Sequence, residues 1–479
     1  MSDNLDPEDW AAFRASGHEA LDRMIDFLQT ARERPVWQEA PAHVRERFQS
    51  LLPRRPRELA DVLDDFEANI KPYVVGNTHP LFMGWVHGAG TPVGMIAEML
   101  AAGLNANCGG RNHIAIEVER QIARWAAELF EFPPDATGVF VTGSSAANFL
   151  GLLVARDAAM GHEVRRSGLS MSDKQLVAYT SVNAHGCVVQ AMELAGVGSA
   201  HLRSVSCDSA GAMRPDLLRA AIDRDLAAGL RPFLIVATAG TVDTGSIDPL
   251  RELAATAREY RLWLHVDGAF GALAALSPAL RPKLSGIELA DSIAFDFHKW
   301  AHVPYDAGFL LVRDGAMHRG AFASAASYLG RASQGLAAGE IWPCDLGPDL
   351  SRGFRALKTW FTFQVHGADK IGRAIEATCE NAAHLSDALE RSEIFELRAP
   401  VSLNIVCFAL KPGWRDEANE AIVVDLQMRG VAAPSMTKLA GRPVIRAALV
   451  NHRTTKADVE RFVMALDEAA GRLAPVRKS

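Results

Sequence analysis

The chain has 479 residues, 49% hydrophobic and 22% charged, which is globular composition with material for a large core. It excludes the disordered and collagen-like classes. Fifty Lys and Arg against 57 Asp and Glu leave a net charge of −7, so no basic excess points to nucleic acid or to an anionic membrane surface.

The N-terminus is acidic and lacks an apolar segment, so no signal peptide is expected. Asp6 and Pro7 are read as cap and first-turn proline of an opening helix, with Phe13, Leu21, Met24, Ile25 and Leu28 as its apolar stripe. A proline-rich stretch, Pro35 to Pro56, reads as an extended linker that wraps over another part of the fold, and Glu58 to Ile70 as a helix. The uncharged run from Ala136 to Ala155 is long enough to cross a bilayer. Its polar centre, Thr142 to Asn148, argues instead for strand, loop and helix.

Short apolar runs then alternate with helical segments. The runs are Gly138–Val141, Leu176–Tyr179, Phe233–Thr238, Leu262–Val266, Ser292–Phe297 and Gly308–Val312; helices such as Leu150–Met160, Pro215–Ala228 and Leu250–Arg258 lie between several of them. This alternation predicts an α/β fold, with a mostly parallel sheet covered on both faces. Beyond Ile341-Trp342-Pro343-Cys344, a long helical region runs from Ser351 to Asn381 and beyond. Strand Val401–Leu410, helix Glu417–Met428, strand Val444–Leu449 and helix Lys456–Arg472 then make a small α+β unit. The six cysteines are scattered and form no C-x-x-C pair, so no zinc or redox dithiol site is expected; buried thiols in a reducing cytoplasm fit them.

Four motifs carry chemistry. In Asp296-Phe297-His298-Lys299-Trp300, a lysine stands at the end of a buried-strand pattern. Alone it reads as a surface lysine; beside His298 it suits a Schiff-base lysine activated by desolvation. In Leu262 to Phe270, an apolar strand ends on Asp267 and continues through Gly268 and Ala269, small enough for a flat ring to approach. A buried carboxylate needs a partner; a pyridinium nitrogen would serve, and so would a helix cap or an ordinary ion pair. Gly138 to Asn148 places Gly143, Ser144 and Ser145 between strand and helix, as a phosphate cradle or as a plain cap. His185 follows the strand Leu176–Tyr179, placed to stack on a planar ring, to move protons, or simply to serve as a structural histidine.

In this order the motifs fit pyridoxal 5′-phosphate (PLP). The chain resembles the group II PLP-dependent amino-acid decarboxylases, the aromatic-L-amino-acid, histidine and glutamate decarboxylases, along nearly its whole length. His79-Pro80-Leu81-Phe82, Ala237-Thr238-Ala239-Gly240-Thr241 and Ser351-Arg352-Gly353-Phe354-Arg355 to Trp360 share in the resemblance. It implies that Lys299 binds the cofactor's aldehyde, Asp267 pairs with the ring nitrogen, and His185 stacks on the ring. Gly143, Ser144 and Ser145 would hold the phosphate, with Ala269, Asp296 and His298 lining the cofactor. Phe82, Trp85, His87 and Ser351 would wall the substrate pocket. Tyr328, on a loop that serves the neighbouring subunit, would return the proton to Cα with help from His185. The implied fold is fold type I, as a homodimer with shared sites: residues 1–85 an N-terminal helical arm, 86–370 the large PLP domain, 371–479 the small domain. The implied activity is that of a cytoplasmic carboxy-lyase, releasing CO2 and the amine from an L-amino acid, most simply an aromatic one.

The chain departs from the pattern in places. Val242 stands where several relatives carry a second Thr, and Asp296 where some carry Asn. Trp85-Val86-His87-Gly88 replaces the Tyr-Phe-Pro-Thr run of the animal aromatic decarboxylases, so Gly88 lacks the hydroxyl that meets the substrate carboxylate. Ser351 matches a position that favours a tyrosine- or dopa-like substrate. The alternatives are an aldehyde synthase on the same fold, which Tyr328 and His185 disfavour, and a decarboxylase of an acidic or diamino acid. A serine hydrolase would use Ser145, Asp267 and His298. A nicotinamide enzyme would use Gly88 to Gly94, whose spacing misses G-x-G-x-x-G and whose Pro92 is expected to interrupt a helix start.

Overall fold

The structure is a computed structural model that describes residues 4–323, 330–339, 341–415 and 417–473. Helices α1 (Trp10–Gln29), α2 (Ala42–Arg47), α3 (Leu59–Asn69), α4 (Pro92–Leu104) and α5 (Ile114–Leu129) precede the first strand. Then come β1 (Thr137–Val141), α6 (Ser144–Met160), α7 (Val164–Ser167), β2 (Leu176–Ser181), α8 (Cys187–Leu194), β3 (Leu202–Val205), α9 (Pro215–Ala227), β4 (Arg231–Thr238), α10 (Leu250–Tyr260), β5 (Trp263–Asp267), β6 (Ser292–Asp296), β7 (Gly308–Val312) and α11 (Gly315–Phe322). The remainder is α12 (Arg355–His366), α13 (Ala368–Arg391), β8 (Phe395–Leu397), β9 (Ile405–Leu410), α14 (Glu417–Met428), β10 (Ser435–Leu439), β11 (Arg442–Ala448) and α15 (Lys456–Arg472).

The large sheet has the order β1-β7-β6-β5-β4-β2-β3. β3, β2, β4, β5 and β6 pair in parallel, while β7 runs antiparallel to both β6 and β1. Six strands therefore point one way, and their C-terminal ends line one edge, where open α/β sheets bind ligands. β2, β6 and β7 are buried along their whole length, which is why they read as continuous apolar runs. The second sheet, β10-β11-β9-β8, is antiparallel. Leu81, Phe82 and Met83 join its core, tying the segment that carries the predicted substrate wall to the C-terminal unit.

Several expectations need correction. Asp9, not Asp6, caps the first helix, accepting from the N–H groups of Ala11 and Ala12. The Pro35–Pro56 stretch is not wholly extended: it contains α2, whose Val44 is buried, while the Val36 N–H bonds Gly430 O as the stretch wraps over the C-terminal unit. The long helical region begins only at Arg355 and breaks at Gly367, where φ is +72°. β3 escaped sequence reading because an edge strand of mixed polarity carries no apolar run. Pro92 starts α4 instead of interrupting it: it follows the cap Thr91 at the first helical position, where its missing N–H costs nothing. The 136–155 stretch is strand, loop and helix, and no helix among the described residues is long and apolar enough to cross a membrane.

Candidate active site

Lys299 and Asp267 reach the same edge from neighbouring parallel strands. Asp267 is the last residue of β5, paired with Ala294 of β6, and Lys299 lies in the turn after β6. The Lys299 Nζ sits 2.9 Å from Asp296 Oδ2; Asp296 is 1% exposed and its Oδ1 has no partner among the described residues. The anion that replaces Asn at this position is thus turned toward the lysine. His298 accepts the Ala307 N–H at Nδ1 (3.0 Å), which leaves the proton on Nε2, 3.7 Å from Asp296 Oδ2. Burial pushes its pKa down to about 4, so the ring is neutral.

Asp267 is 3% exposed. Its Oδ1 accepts the Ala269 N–H at 3.1 Å, and its Oδ2 faces the Cys187 thiol at 4.0 Å. Burial raises its pKa, opposed by the charge of Lys299. Behind it runs a one-way chain of donors. The Trp263 indole donates to Ser292 Oγ (2.8 Å), Ser292 Oγ meets His265 Nδ1 (2.7 Å), and His265 Nε2 meets Asn148 Oδ1 (2.7 Å). Asn148 Nδ2 then donates to Cys187 Sγ (3.3 Å), whose thiol meets Asp267. Burial pushes the Cys187 pKa up to about 12, which keeps the thiol a donor. Sequence reading missed this network. Its members are 117 and 39 residues apart in chain, and no local pattern marks such partners.

Gly143 is the N-cap of α6, and no side chain caps that helix, so Ser144 and Ser145 are not capping residues. Ser144 is buried, while Ser145 is exposed and reaches the Cys187 thiol. A Cβ added to Gly308 would fall 2.4 Å from Gly143 Cα, so the cradle depends on two glycine backbones in contact. His185 is exposed, with its Nδ1 taking the Cys187 N–H at 3.2 Å. Phe82, Trp85 and His87 form a cluster of rings: His87 stacks on Phe82 at 5.7 Å and on Trp85 at 5.6 Å. Lys299 lies within electrostatic range of His87, lowering its pKa together with burial. Ser351 is exposed and shares no hydrogen bond or ring contact with this group among the described residues. Tyr328 lies outside the described residues.

Ser145, Asp267 and His298 do not form a triad: His298 bonds Ala307 and faces Asp296, and Asp267 faces Ala269 and Cys187. The nicotinamide alternative also fails in the structure, because residues 83–91 contain no strand to lead into the glycine segment.

Arg446 of β11 is a further residue that sequence reading missed. It is 3% exposed, its Nε donates to Val242 O at 2.8 Å, and its Nη2 has no partner among the described residues. It lies within electrostatic range of His87. Val242, which stands where several relatives carry a Thr, is thus tied to β11 through its carbonyl.

These groups fit PLP. A buried carboxylate without a cationic partner suits a protonated ring nitrogen, an uncapped helix start beside two hydroxyls suits a phosphate, and a lysine at the cleft suits an aldehyde.

Comparisons with known proteins agree. Residues 41–411 match the pyridoxal-dependent decarboxylase conserved domain. The chain is 30% identical to the aromatic-L-amino-acid decarboxylase of Bacillus atrophaeus over 481 residues, covering 98% of each protein. It is 29% identical to the phenylacetaldehyde synthase of Arabidopsis thaliana, again covering 98% of each. Among solved structures, Oryza sativa TDC with PLP and tryptamine superposes with a TM-score of 0.90 at 25% identity, covering 98% of this chain and 100% of that one. Fold, cofactor and reaction class follow together: the chain belongs to the pyridoxal-dependent decarboxylases, fold type I α/β enzymes that use PLP as carboxy-lyases.

Proposed function

We propose that this enzyme decarboxylates an aromatic L-amino acid, releasing CO2 and the aromatic amine. The observation that carries the reading is Asp267, a buried carboxylate met only by the Ala269 N–H and the Cys187 thiol among the described residues. When bound, PLP supplies a ring that accepts the electron pair left as CO2 departs. Asp267 keeps the ring nitrogen protonated, and the donor chain ending at Cys187 fixes the orientation of its carboxylate. Lys299 would hold the cofactor's aldehyde, its amine standing at the end of the cleft beside Asp296. Gly143, Ser144 and Ser145 take the phosphate, and His185 covers the ring. The rings of Phe82, Trp85 and His87 exclude water and pack on an aromatic side chain, with Ser351 at the pocket's edge. Arg446 draws in the substrate carboxylate with its free Nη2. Tyr328 returns a proton to Cα.

The reading extends to a homodimer acting in the cytoplasm, with residues 1–85 as arm, 86–370 as large domain and 371–479 as small domain. In support, α1 buries none of its residues and leaves Trp10, Phe13 and Ile25 exposed. All six cysteines are unpaired, which suits a reducing compartment.

The test is release of CO2 and amine from L-tyrosine, L-dopa, L-phenylalanine, L-tryptophan, L-glutamate and L-2,4-diaminobutyrate by purified holoenzyme. Amine from an aromatic acid is expected. Preference for an acidic or diamino acid, or release of aldehyde, ammonia and peroxide, would overturn the reading. Lys299→Ala should abolish the visible absorption of the lysine-bound cofactor.

A further inference from the structure

Tyr305 stands out in the turn after Lys299. It is 48% exposed, although Val303 and Ala307 on either side are fully buried. Its loop is anchored at three consecutive residues. Lys358 Nζ, itself paired with Glu98 at 2.9 Å, donates to Tyr305 O at 3.1 Å. Arg355 Nε donates to Asp306 Oδ1 at 2.6 Å, and the Ala307 N–H donates to His298 Nδ1 at 3.0 Å. The phenol ring lies 4.3 Å from the His298 ring and meets His87 edge-on at 6.1 Å. The fold therefore holds this side chain beside the residue that adjoins Lys299 while leaving its face open to the cleft.

The hydroxyl has no structural task. Among the described residues it donates to no acceptor, while the Gly88 N–H approaches its oxygen. Gly88 itself cannot contribute a side chain: a Cβ there would fall 2.0 Å from His298 O and 2.4 Å from Lys299 O. The wall beside Lys299 is thus bare on the Gly88 side and carries a free O–H on the Tyr305 side.

We propose that the Tyr305 hydroxyl donates a hydrogen bond to the α-carboxylate of the bound amino acid, orienting the group that leaves. The assignment rests on the decarboxylase reading above and adds a second donor, beside Arg446, on the scissile group. Burial and the Asp296 charge push the phenol pKa up to about 12, so it stays a neutral donor across the working range. Arg446 supplies the charge that draws the carboxylate in, and the Tyr305 hydroxyl, held by an anchored turn, fixes its orientation.

Tyr305→Phe removes the hydroxyl and keeps the ring on His298. In the holoenzyme, kcat/KM for the preferred amino acid should fall at least about tenfold, the ratio for one hydrogen bond to a charged acceptor. The inhibition constant of the product amine, which lacks the carboxylate, should stay within about twofold on the same argument. The visible spectrum and melting temperature should match wild type, which separates a binding defect from a folding one. Equal weakening of amino acid and amine, or no change in either, would overturn the assignment while leaving the decarboxylase reading intact. Wild-type enzyme inactive on every amino acid in the panel would overturn both.

Discussion

Arg352 grips Glu119 with two hydrogen bonds, 2.6 and 3.0 Å, and their side chains are 2% and 5% exposed. Arg352 also donates to Cys108 O and to Phe140 O, and Glu119 accepts the Phe140 N–H. The pair therefore ties the segment entering α12, and helix α5, to β1, the strand that leads into the Gly143 cradle.

Glu119→Ala leaves a guanidinium buried without its counter-charge, and should cost about 3–5 kcal/mol of stability. The double variant Glu119→Ala, Arg352→Ala should cost less than the two single changes together. Denaturant unfolding of all four proteins checks both statements; additive losses would show that the pair does not act as a unit.

If Asp267 pairs with the ring nitrogen as proposed, Asp267→Asn should lower kcat by about 10²-fold or more. Without cofactor the same change should stabilise the protein. Burial raises the Asp267 pKa above its unfolded value, so the folded state is penalised once pH exceeds the ordinary carboxylate range and fully so above the raised pKa. The melting temperature of cofactor-free Asp267→Asn should therefore exceed that of wild type at pH 7 and converge with it near pH 3–4, the ordinary carboxylate range. Equal melting temperatures at pH 7 would contradict this.

His302 is 3% exposed, neither ring nitrogen has a partner among the described residues, and its ring lies 4.5 Å from that of His452. Burial, with Arg453 nearby, pushes the His302 pKa down to about 3; burial, with His302, Arg453 and His366 nearby, pushes the His452 pKa to about 2. At pH 8 neither the folded nor the unfolded form of His302 is protonated, so it contributes nothing. Below about pH 6.5 the unfolded chain takes up a proton that the folded one excludes, and stability drains away until the folded pKa is reached. His302→Leu should thus gain on wild type as pH falls, by roughly 1–2 kcal/mol at pH 5 relative to pH 8. Melting curves across that range test it, and a pH-independent difference would refute it.

Gly88→Ala drives a methyl into the carbonyls of His298 and Lys299, backbone atoms that cannot rotate away. The turn carrying Lys299 must move. Activity should fall at least about 10²-fold, as displacements of about 1 Å do elsewhere. Cofactor affinity, followed by visible absorption on titration with PLP, should weaken in parallel. Full activity would mean that the turn yields without moving the lysine.

Much of this was legible along the chain. Asp296, His298 and Lys299 are near neighbours, and Asp267 ends an apolar run that could only be a buried strand, so a few consecutive residues announced both the strand and its chemistry. The strands β2, β6 and β7 showed themselves because burial along their whole length leaves them mostly apolar, with polar residues only toward the ends of β2 and β6. Local pattern misleads where one residue type serves two ends: Pro92 reads as a helix breaker, yet it opens α4. Asp6-Pro7 reads as the helix start, yet Asp9 provides the cap.

Order along the chain was enough for the cofactor and the sheet, because strands show in short-range periodicity and the cofactor in several local motifs taken in sequence. It could not supply the Arg446 guanidinium beside Val242, the donor chain from Trp263 to Asp267, or the Tyr305 hydroxyl opposite a bare Gly88. Those depend on which strands lie side by side and on how closely backbones approach. A buried polar group finds its partner through space, and its sequence neighbours carry no record of which partner that is.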